Sequence, residues 1–246
     1  MRSENQPDGQ RGFASAGSVG DPKAQEPERS FIEKARRAQI MEAAVETIAV
    51  RGFAKASLAQ IAERAGVSKG VISYHFAGKG ELIERLVEQI YEGIGAFVEA
   101  RLEKEAGATA WLRVYVESVA AYMQDHRSQL AALGEIFSNF RTADGAPRYG
   151  VASSEPLYVA LEGVFLEGQR SGEFRAFDVR VMAVSLQAAI DHMFAYWSAH
   201  PEHDLAAHAR ELAGLFEHAT RADPARKPDR QANSTDTDGT DGNEPH

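Results

Sequence analysis

The sequence contains no cysteine among its 246 residues. Without thiols the chain has no disulfide framework, no thiolate zinc site and no cysteine nucleophile. Long apolar runs are also missing, because the longest apolar-rich stretch, Val181 to Trp197, is broken by polar residues such as Gln187 and Asp191. It falls short of the roughly 20 apolar residues that span a bilayer. Residues 1–29 lack the apolar segment of a signal peptide. We therefore expect a cytoplasmic protein with no membrane partner.

Patterns typical of strands and of enzymes are absent as well. No segment alternates between apolar and polar residues in the way that a half-buried strand requires. There is no G-x-S-x-G elbow, and Gly78-Lys79 lacks the earlier glycine of a phosphate-binding loop. His203 and His208 come near to metal-ligand spacing, but no thiolate assists them. We therefore expect an all-α protein that is not an enzyme and carries neither a cofactor nor a metal.

What the chain does contain is a series of amphipathic helices separated by glycine and proline. The periodicity predicts helices at about 33–51, 58–64, 68–76, 79–105, 109–124, 127–141, 155–171, 178–199 and 203–221. Residues 1–29 and 223–246 have few large apolar side chains, which predicts a disordered N-terminal arm and a disordered C-terminal tail. Between them we expect a small domain at 30–79 and a larger helical domain at 80–222.

The two predicted domains carry opposite charge. Residues 30–79 hold eight Lys/Arg against four Asp/Glu, a net charge of +4, whereas residues 80–222 hold twelve against twenty-one, a net charge of -9. The whole chain also has a net charge of -9. A basic module attached to an acidic body favours a polyanionic partner for the module alone.

A helix-turn-helix pattern lies inside this basic module. Ser57 is a favoured N-cap, and Gln60 three residues later completes a capping box. Gly66 stands where a tight turn needs a left-handed residue, and Ser68 can cap the second helix. Apolar residues such as Ile72 can then point to a shared core, as in a motif whose second helix enters the DNA major groove.

The other side of the second helix suits DNA. Lys69 can neutralise a phosphate or reach a guanine edge, and Gly70 lets the backbone approach the groove. Tyr74 can donate to a phosphate, and Lys79 adds a cation at the start of the next helix. The predicted DNA-binding residues are Ser57, Ser68, Lys69, Gly70, Val71, Ser73, Tyr74, His75 and Lys79.

With these residues in place, the stretch 33–86 resembles the DNA-binding domain of the TetR family of bacterial transcriptional regulators. The resemblance rests on Ile40-x-x-Ala43-Ala44, Gly52-Phe53, Ser57-Leu58, Ile61-Ala62, Ala65-Gly66-Val67-Ser68, Gly70, Tyr74-x-Phe76, Lys79 and Leu82. The recognition-helix segment 68–76 is similar to the BetI-like branch. Ser73 stands where many members have a different residue, so their operator sequences do not transfer to this chain.

The resemblance implies a homodimeric, ligand-responsive repressor that binds a palindromic operator and is released by a small molecule. By analogy with the family, the helices at 178–199 and 203–221 would form the dimer, and residues from about 95 to 197 would supply the ligand pocket. Two alternatives stay open at this point. One is a transcriptional activator, and the other is a helical small-molecule or partner-binding module with a vestigial helix-turn-helix.

The candidate pocket residues are large aromatic or sulfur-containing side chains on the predicted helices, together with one acid. They are Trp111, Tyr115, Tyr122, Phe137, Phe140, Phe165, Asp191 and Met193. Asp191 is notable because it interrupts an otherwise apolar helix, and a buried acid needs a partner. It could pair across the dimer, form a local hydrogen bond, or receive a polar or cationic ligand.

Overall fold

The structure, a computed structural model, describes residues 22–222, with side chains from residue 31 onward. Its helices are α1 (Pro22–Arg51), α2 (Leu58–Ala65), α3 (Lys69–His75), α4 (Lys79–Leu102), α5 (Ala108–Asp125), α6 (Arg127–Asn139), α7 (Glu155–Ser171), α8 (Val179–Ala199) and α9 (Leu205–Thr220), with a short 3₁₀ turn at Val151–Ser154. Between residues 22 and 222 there is no strand, only two isolated bridges. The all-α prediction is confirmed. None of the helices in this range is long and apolar enough to cross a membrane.

The helix boundaries differ from the predicted ones by more than two residues at two places. Helix α1 begins at Pro22 rather than near Glu33, so residues 22–29, expected in the disordered arm, are helical. Proline suits the first position of a helix because its missing N–H would have no partner there. Helix α4 ends at Leu102, ahead of the turn that leads to Gly107. The predicted disorder of residues 1–21 and of the C-terminal tail lies outside the described residues.

The chain divides into two compact units between Leu86 and Val87, inside α4. In the first unit, α1, α2, α3 and the beginning of α4 share one apolar core. Its fully buried large side chains are Ile40, Ile48, Ile61, Ile72, Phe76, Leu82, Ile83 and Leu86. A polar contact supports this core, because the side chain of Gln39 on α1 donates to the carbonyl of Ala65 at the end of α2, at 2.7 Å.

In the second unit, α5 packs against α9 and also contacts α6 and α7. An ion pair joins α5 to α9. Arg113 on α5 donates two hydrogen bonds, at 2.6 and 2.8 Å, to the buried carboxylate of Glu217 on α9. Such a bidentate pair fixes the rotation of one helix against the other as well as their distance. At the start of α5 the carboxylate of Glu173 accepts hydrogen bonds from the backbone N–H groups of Ala108 and Thr109, at 2.9 and 3.0 Å. These bonds hold the pKa of Glu173 below its usual range.

The chain reverses sharply where α7 ends. Gly172 adopts a left-handed backbone with a φ of 81°, which a residue with a Cβ adopts at a cost. The reversal carries Phe174 back onto α7, where its backbone N–H donates to the carbonyl of Gly168 at 2.9 Å. Its ring lies directly over Gly168, so that a Cβ there would overlap the ring. The absence of a side chain at Gly168 is therefore a packing requirement.

We expect Gly168→Ala to destabilise the protein by about 1–3 kcal/mol, since the buried Phe174 ring must move to admit the methyl group. The matched control is Gly163→Ala on the same helix, where a Cβ meets nothing within 4 Å. The control should be more stable by up to about 1 kcal/mol, because alanine is the better helix former. Chemical denaturation of the two variants checks this, and an unchanged midpoint for Gly168→Ala would contradict it.

Candidate functional site

The turn between α2 and α3 is built as the sequence predicts. The hydroxyl of Ser57 accepts from the backbone N–H of Gln60 at 3.3 Å, and the Gln60 side chain accepts in return from the backbone N–H of Ser57 at 3.0 Å. Gly66 is left-handed, with a φ of 65°. The N–H of Val67 then donates to the carbonyl of Ala62 at 3.0 Å, which closes a Schellman motif. Together these bonds end α2 abruptly and leave room for only a short link to α3.

Helix α3 begins at this link and has two different sides. The hydroxyl of Ser68 caps it by accepting from the N–H of Val71 at 3.3 Å. Ile72 is fully buried beneath it, and Phe76, directly after it, lies under the guanidinium of Arg37 at 4.8 Å. On the opposite side Lys69, Gly70, Ser73 and Tyr74 are exposed, whereas Val71 and His75 are half-buried. Tyr74 leaves 76% of its surface accessible, which is far more than packing would leave to a large aromatic residue.

The remaining predicted DNA-binding residues serve the fold as well. The hydroxyl groups of Ser57 and Ser68 accept the capping hydrogen bonds described above. The Nζ of Lys79 donates to the carbonyl of Phe53 at 2.6 Å and lies 4.1 Å from the centre of that residue's ring. Its partial burial lowers the pKa of Lys79. The ammonium group therefore ties the start of α4 to the turn after α1, and contact with phosphate would be a second role.

The second unit contains a cavity of about 790 Å³ that is lined by residues of five helices. The C-terminal half of α4 contributes Tyr91, Ile94, Gly95, Val98, Glu99 and Leu102, with Glu103 just beyond it; α5 contributes Trp111, Tyr115, Val119 and Met123; α6 contributes Leu130, Leu133, Gly134 and Phe137; α7 contributes Leu157, Ala160 and Leu161; and α8 contributes Gln187, Ile190, Asp191, Phe194, Ala195 and Ser198. A mostly apolar wall with a few polar groups at this volume is typical of small-molecule sites.

Four of the predicted pocket residues line this cavity, namely Trp111, Tyr115, Phe137 and Asp191. The three aromatic residues among them belong to two stacked pairs of rings. Trp111 stacks on Tyr115 with ring centres 5.0 Å apart, and Phe137 stacks on Tyr91 at 6.5 Å. The cavity wall therefore presents flat aromatic faces close to one carboxylate.

The structure places the other four predicted pocket residues elsewhere. Tyr122 is buried against Phe97, Gln129 and His126. Phe165 belongs to a separate aromatic cluster at the end of α7 with Phe174 and Phe177. Met193 is buried in the core of α8, and Phe140 ends α6 near Tyr149. These four side chains do not line this cavity, because aromatic or sulfur character alone does not separate core from cavity.

Sequence reasoning missed Tyr91 and Gln187, which are the polar neighbours of Asp191 in this wall. Gln187 lies one helical turn before Asp191, so its place on the same face could have been deduced from the spacing. Its amide donates to a carboxylate oxygen of Asp191 at 2.8 Å, and its carbonyl oxygen accepts from the hydroxyl of Tyr115 at 3.4 Å. Nothing in the spacing indicates Tyr91, because it comes from a different helix.

The electrostatics of this polar group follow from the cavity wall. Desolvation raises the pKa of Asp191, although the hydrogen bond from Gln187 acts in the opposite direction. Part of the Asp191 side chain is accessible, but it lines a largely apolar cavity. The carboxylate can therefore be desolvated even though part of its surface is accessible. Burial, followed by the charge of Asp191, raises the pKa of Tyr91 to about 12 and also raises that of Tyr115. Both phenols therefore stay neutral near pH 7.

Comparison with known proteins identifies the family. The sequence model of bacterial regulatory proteins of the tetR family matches residues 40–86. The regulator BetI of Cronobacter sakazakii is 30% identical over 165 residues, which cover 66% of this chain and 79% of that protein. The transcriptional activator FasR of Mycolicibacterium smegmatis is 30% identical over 162 residues, 66% of this chain and 72% of its own. Other curated regulators match at 44–48% identity, but over only 27–35% of their length.

The fold agrees with these matches. The crystal structure of the transcriptional regulator FadR from Bacillus subtilis in complex with stearoyl-CoA superposes with a TM-score of 0.63 at 24% identity, and the alignment covers 73% of this chain and 96% of that one. The chain belongs to the TetR family of bacterial transcriptional regulators. It is therefore a DNA-binding transcriptional regulator, and the family includes activators such as FasR.

We expect Gly70→Ala to separate folding from DNA binding. A Cβ at this position would meet only the hydroxyl of Ser68, at an ordinary 3.6 Å, so the variant should fold and be no less stable. If the backbone approaches the groove here, the added methyl group should weaken operator affinity by about tenfold or more, a change of ~1.4 kcal/mol. Fluorescence anisotropy with Gly163→Ala as the control checks this. Equal affinity of the two variants would remove α3 from close contact with DNA at Gly70.

Proposed function

We propose that two copies of this chain dimerise through α8 and α9 and bind a palindromic operator with one α3 each. A small molecule in the 790 Å³ cavity would then release the DNA. The observation that carries this proposal is the coexistence of exposed polar residues on α3 with a mostly apolar cavity whose wall includes the C-terminal half of α4. Ligand binding would act on DNA by shifting α4, which begins three residues after Phe76.

In this proposal the exposed residues of α3 divide the work of recognition. Lys69 and Tyr74 contact phosphates or base edges, Ser73 bonds to a base or a phosphate, and Gly70 admits the backbone. Val71 and His75 lie at the margin of this surface. Arg36 and Arg37 on α1 are already engaged, the first with Gln39 at 2.7 Å and the second over Phe76, which leaves them a smaller part in phosphate contact.

Apolar side chains left exposed on α8 and α9 support the dimer. Val181 is 61% exposed and Leu215 is 67% exposed, and Val184 and Tyr196 are also accessible. Helices α8 and α9 contact each other, and exposed apolar residues on two adjacent helices favour a protein interface. Two copies would bury them against each other and would place two recognition helices at successive major grooves.

We expect Leu215→Glu to produce a monomer, because a charge in a dimer interface would be desolvated without a partner. Val159→Glu on α7, where the native valine is 55% exposed, is the matched control and should stay dimeric. Sedimentation equilibrium at several protein concentrations measures the difference. A Leu215→Glu protein that is as dimeric as the control would place the interface away from this part of α9.

The experiment that tests the function is selection of random duplex DNA with the purified protein at moderate salt. We expect one enriched palindrome whose half-sites lie about 34–36 Å apart, or somewhat more. Its affinity should fall steeply as salt is raised, because counterions leave the phosphates on binding. Recovery of no enriched sequence would reject the repressor and leave a helical binding module with a vestigial helix-turn-helix.

A further inference from the structure

The cavity wall carries negative charge only. Its ionisable acids are Glu99, Glu103 and Asp191, and no Lys, Arg or His stands among the described residues that line it. The two glutamates lie at the C-terminal end of α4 and just beyond it, whereas Asp191 lies mid-way along α8. An anionic ligand would therefore meet repulsion and find no counter-charge in the wall.

Asp191 is held in place but not neutralised by the protein. Tyr115 donates to Gln187, and Gln187 in turn donates to one carboxylate oxygen of Asp191. This chain of hydrogen bonds fixes the orientation of the amide and so presents a donor, not a cation, to the acid. Within residues 31–222 no Lys, Arg or His side chain pairs with Asp191. The carboxylate thus keeps acceptor capacity for a partner that comes from outside the chain.

Aromatic side chains share the cavity wall with this acid. Tyr115 is connected to Asp191 through Gln187, and Tyr91 lines the same cavity. Each of these tyrosine rings is stacked on a further aromatic side chain of the wall, Tyr91 on Phe137 and Tyr115 on Trp111. Aromatic faces attract cations through the quadrupole of the ring, most strongly when water is excluded. A carboxylate with aromatic rings beside it is a suitable receptor for an alkylammonium group, and the Leu, Ile, Val and Met side chains of the wall suit an apolar body.

We propose that the effector site of this protein takes a lipophilic monocation whose ammonium group pairs with Asp191 and whose apolar body fills the rest of the cavity. The inference rests on the proposed function, which makes this cavity the effector site. It separates this chain from the FadR structure, which was solved with stearoyl-CoA. Among the described residues of the wall, no Lys, Arg or His is available to neutralise the phosphates of a coenzyme A ligand, and its ionisable side chains include three acids.

The experiment compares three probes with the same ten-carbon chain: decyltrimethylammonium below its micellar concentration, 1-decanol and decanoyl-CoA. Isothermal titration calorimetry on the full-length protein should show the cation binding at least tenfold more tightly than the alcohol. It should show no binding of decanoyl-CoA at comparable concentrations. Tighter binding of decanoyl-CoA than of the cation would overturn the proposal.

Substitution at Asp191 tests whether the acid is the receptor. Asp191→Asn should weaken decyltrimethylammonium binding at least tenfold and leave 1-decanol binding unchanged, whereas Asp191→Glu should keep most of the cation affinity. The matched control is Asp125→Asn, at an exposed acid on α5 outside the cavity, which should bind both probes as the native protein does. Equal losses for cation and alcohol in Asp191→Asn, or no loss for either, would overturn the role of the carboxylate.

Two further measurements show whether the variants fold and which of the two proposals fails. Because desolvation disfavours the charged form of Asp191, its replacement by asparagine should leave the thermal midpoint equal or higher. Operator binding is then measured beside calorimetry. A protein that binds its operator but not the cation rejects this inference alone, and one that binds the cation through Asp191 without releasing DNA rejects only the proposed release.

Discussion

Helix α5 packs against α9 on one side and lines the cavity on another, and the architecture of the second unit depends on its fixed position between the two. One side packs against α9 and is held there by the two hydrogen bonds between Arg113 and Glu217, at 2.6 and 2.8 Å. Another side gives Trp111, Tyr115 and Val119 to the cavity wall. Because the ion pair and the cap from Glu173 fix the position and rotation of α5, the aromatic side chains of the cavity hold their orientation without filling the space in front of them.

This arrangement gives the side chains of the cavity wall fewer protein neighbours than a fully packed core would give them. Apolar side chains that lack packing partners contribute less to stability. Asp191 adds a further cost, because desolvation disfavours its charged form. A ligand that binds only the folded protein would raise its stability by mass action.

The helix-turn-helix was predictable from sequence because its determinants are local. Each of its turn residues interacts with backbone groups no more than four residues away, so sequence spacing alone identifies them. These residues are the N-caps Ser57 and Ser68 and the left-handed Gly66. The cavity was only partly predictable, because its lining depends on which helices meet. Phe165 and Tyr91 are both aromatic residues on amphipathic helices, yet the first packs in a core cluster and the second faces the cavity. Gln187 was predictable only in part, because helical spacing places it on the same face as Asp191 once that acid is assigned to the cavity.

The two-sided character of α3 separates the residues that the fold needs from the residues that we propose contact DNA. Ile72 and Phe76 anchor the helix, while Lys69, Gly70, Ser73 and Tyr74 have no part in the buried core. Substitutions at these exposed positions should therefore cost little stability. If they contact DNA as proposed, a regulator of this family can acquire new operators over evolutionary time while the cavity of its second unit stays unchanged. The DNA sequence that it binds and the shape of that cavity are then free to diverge independently.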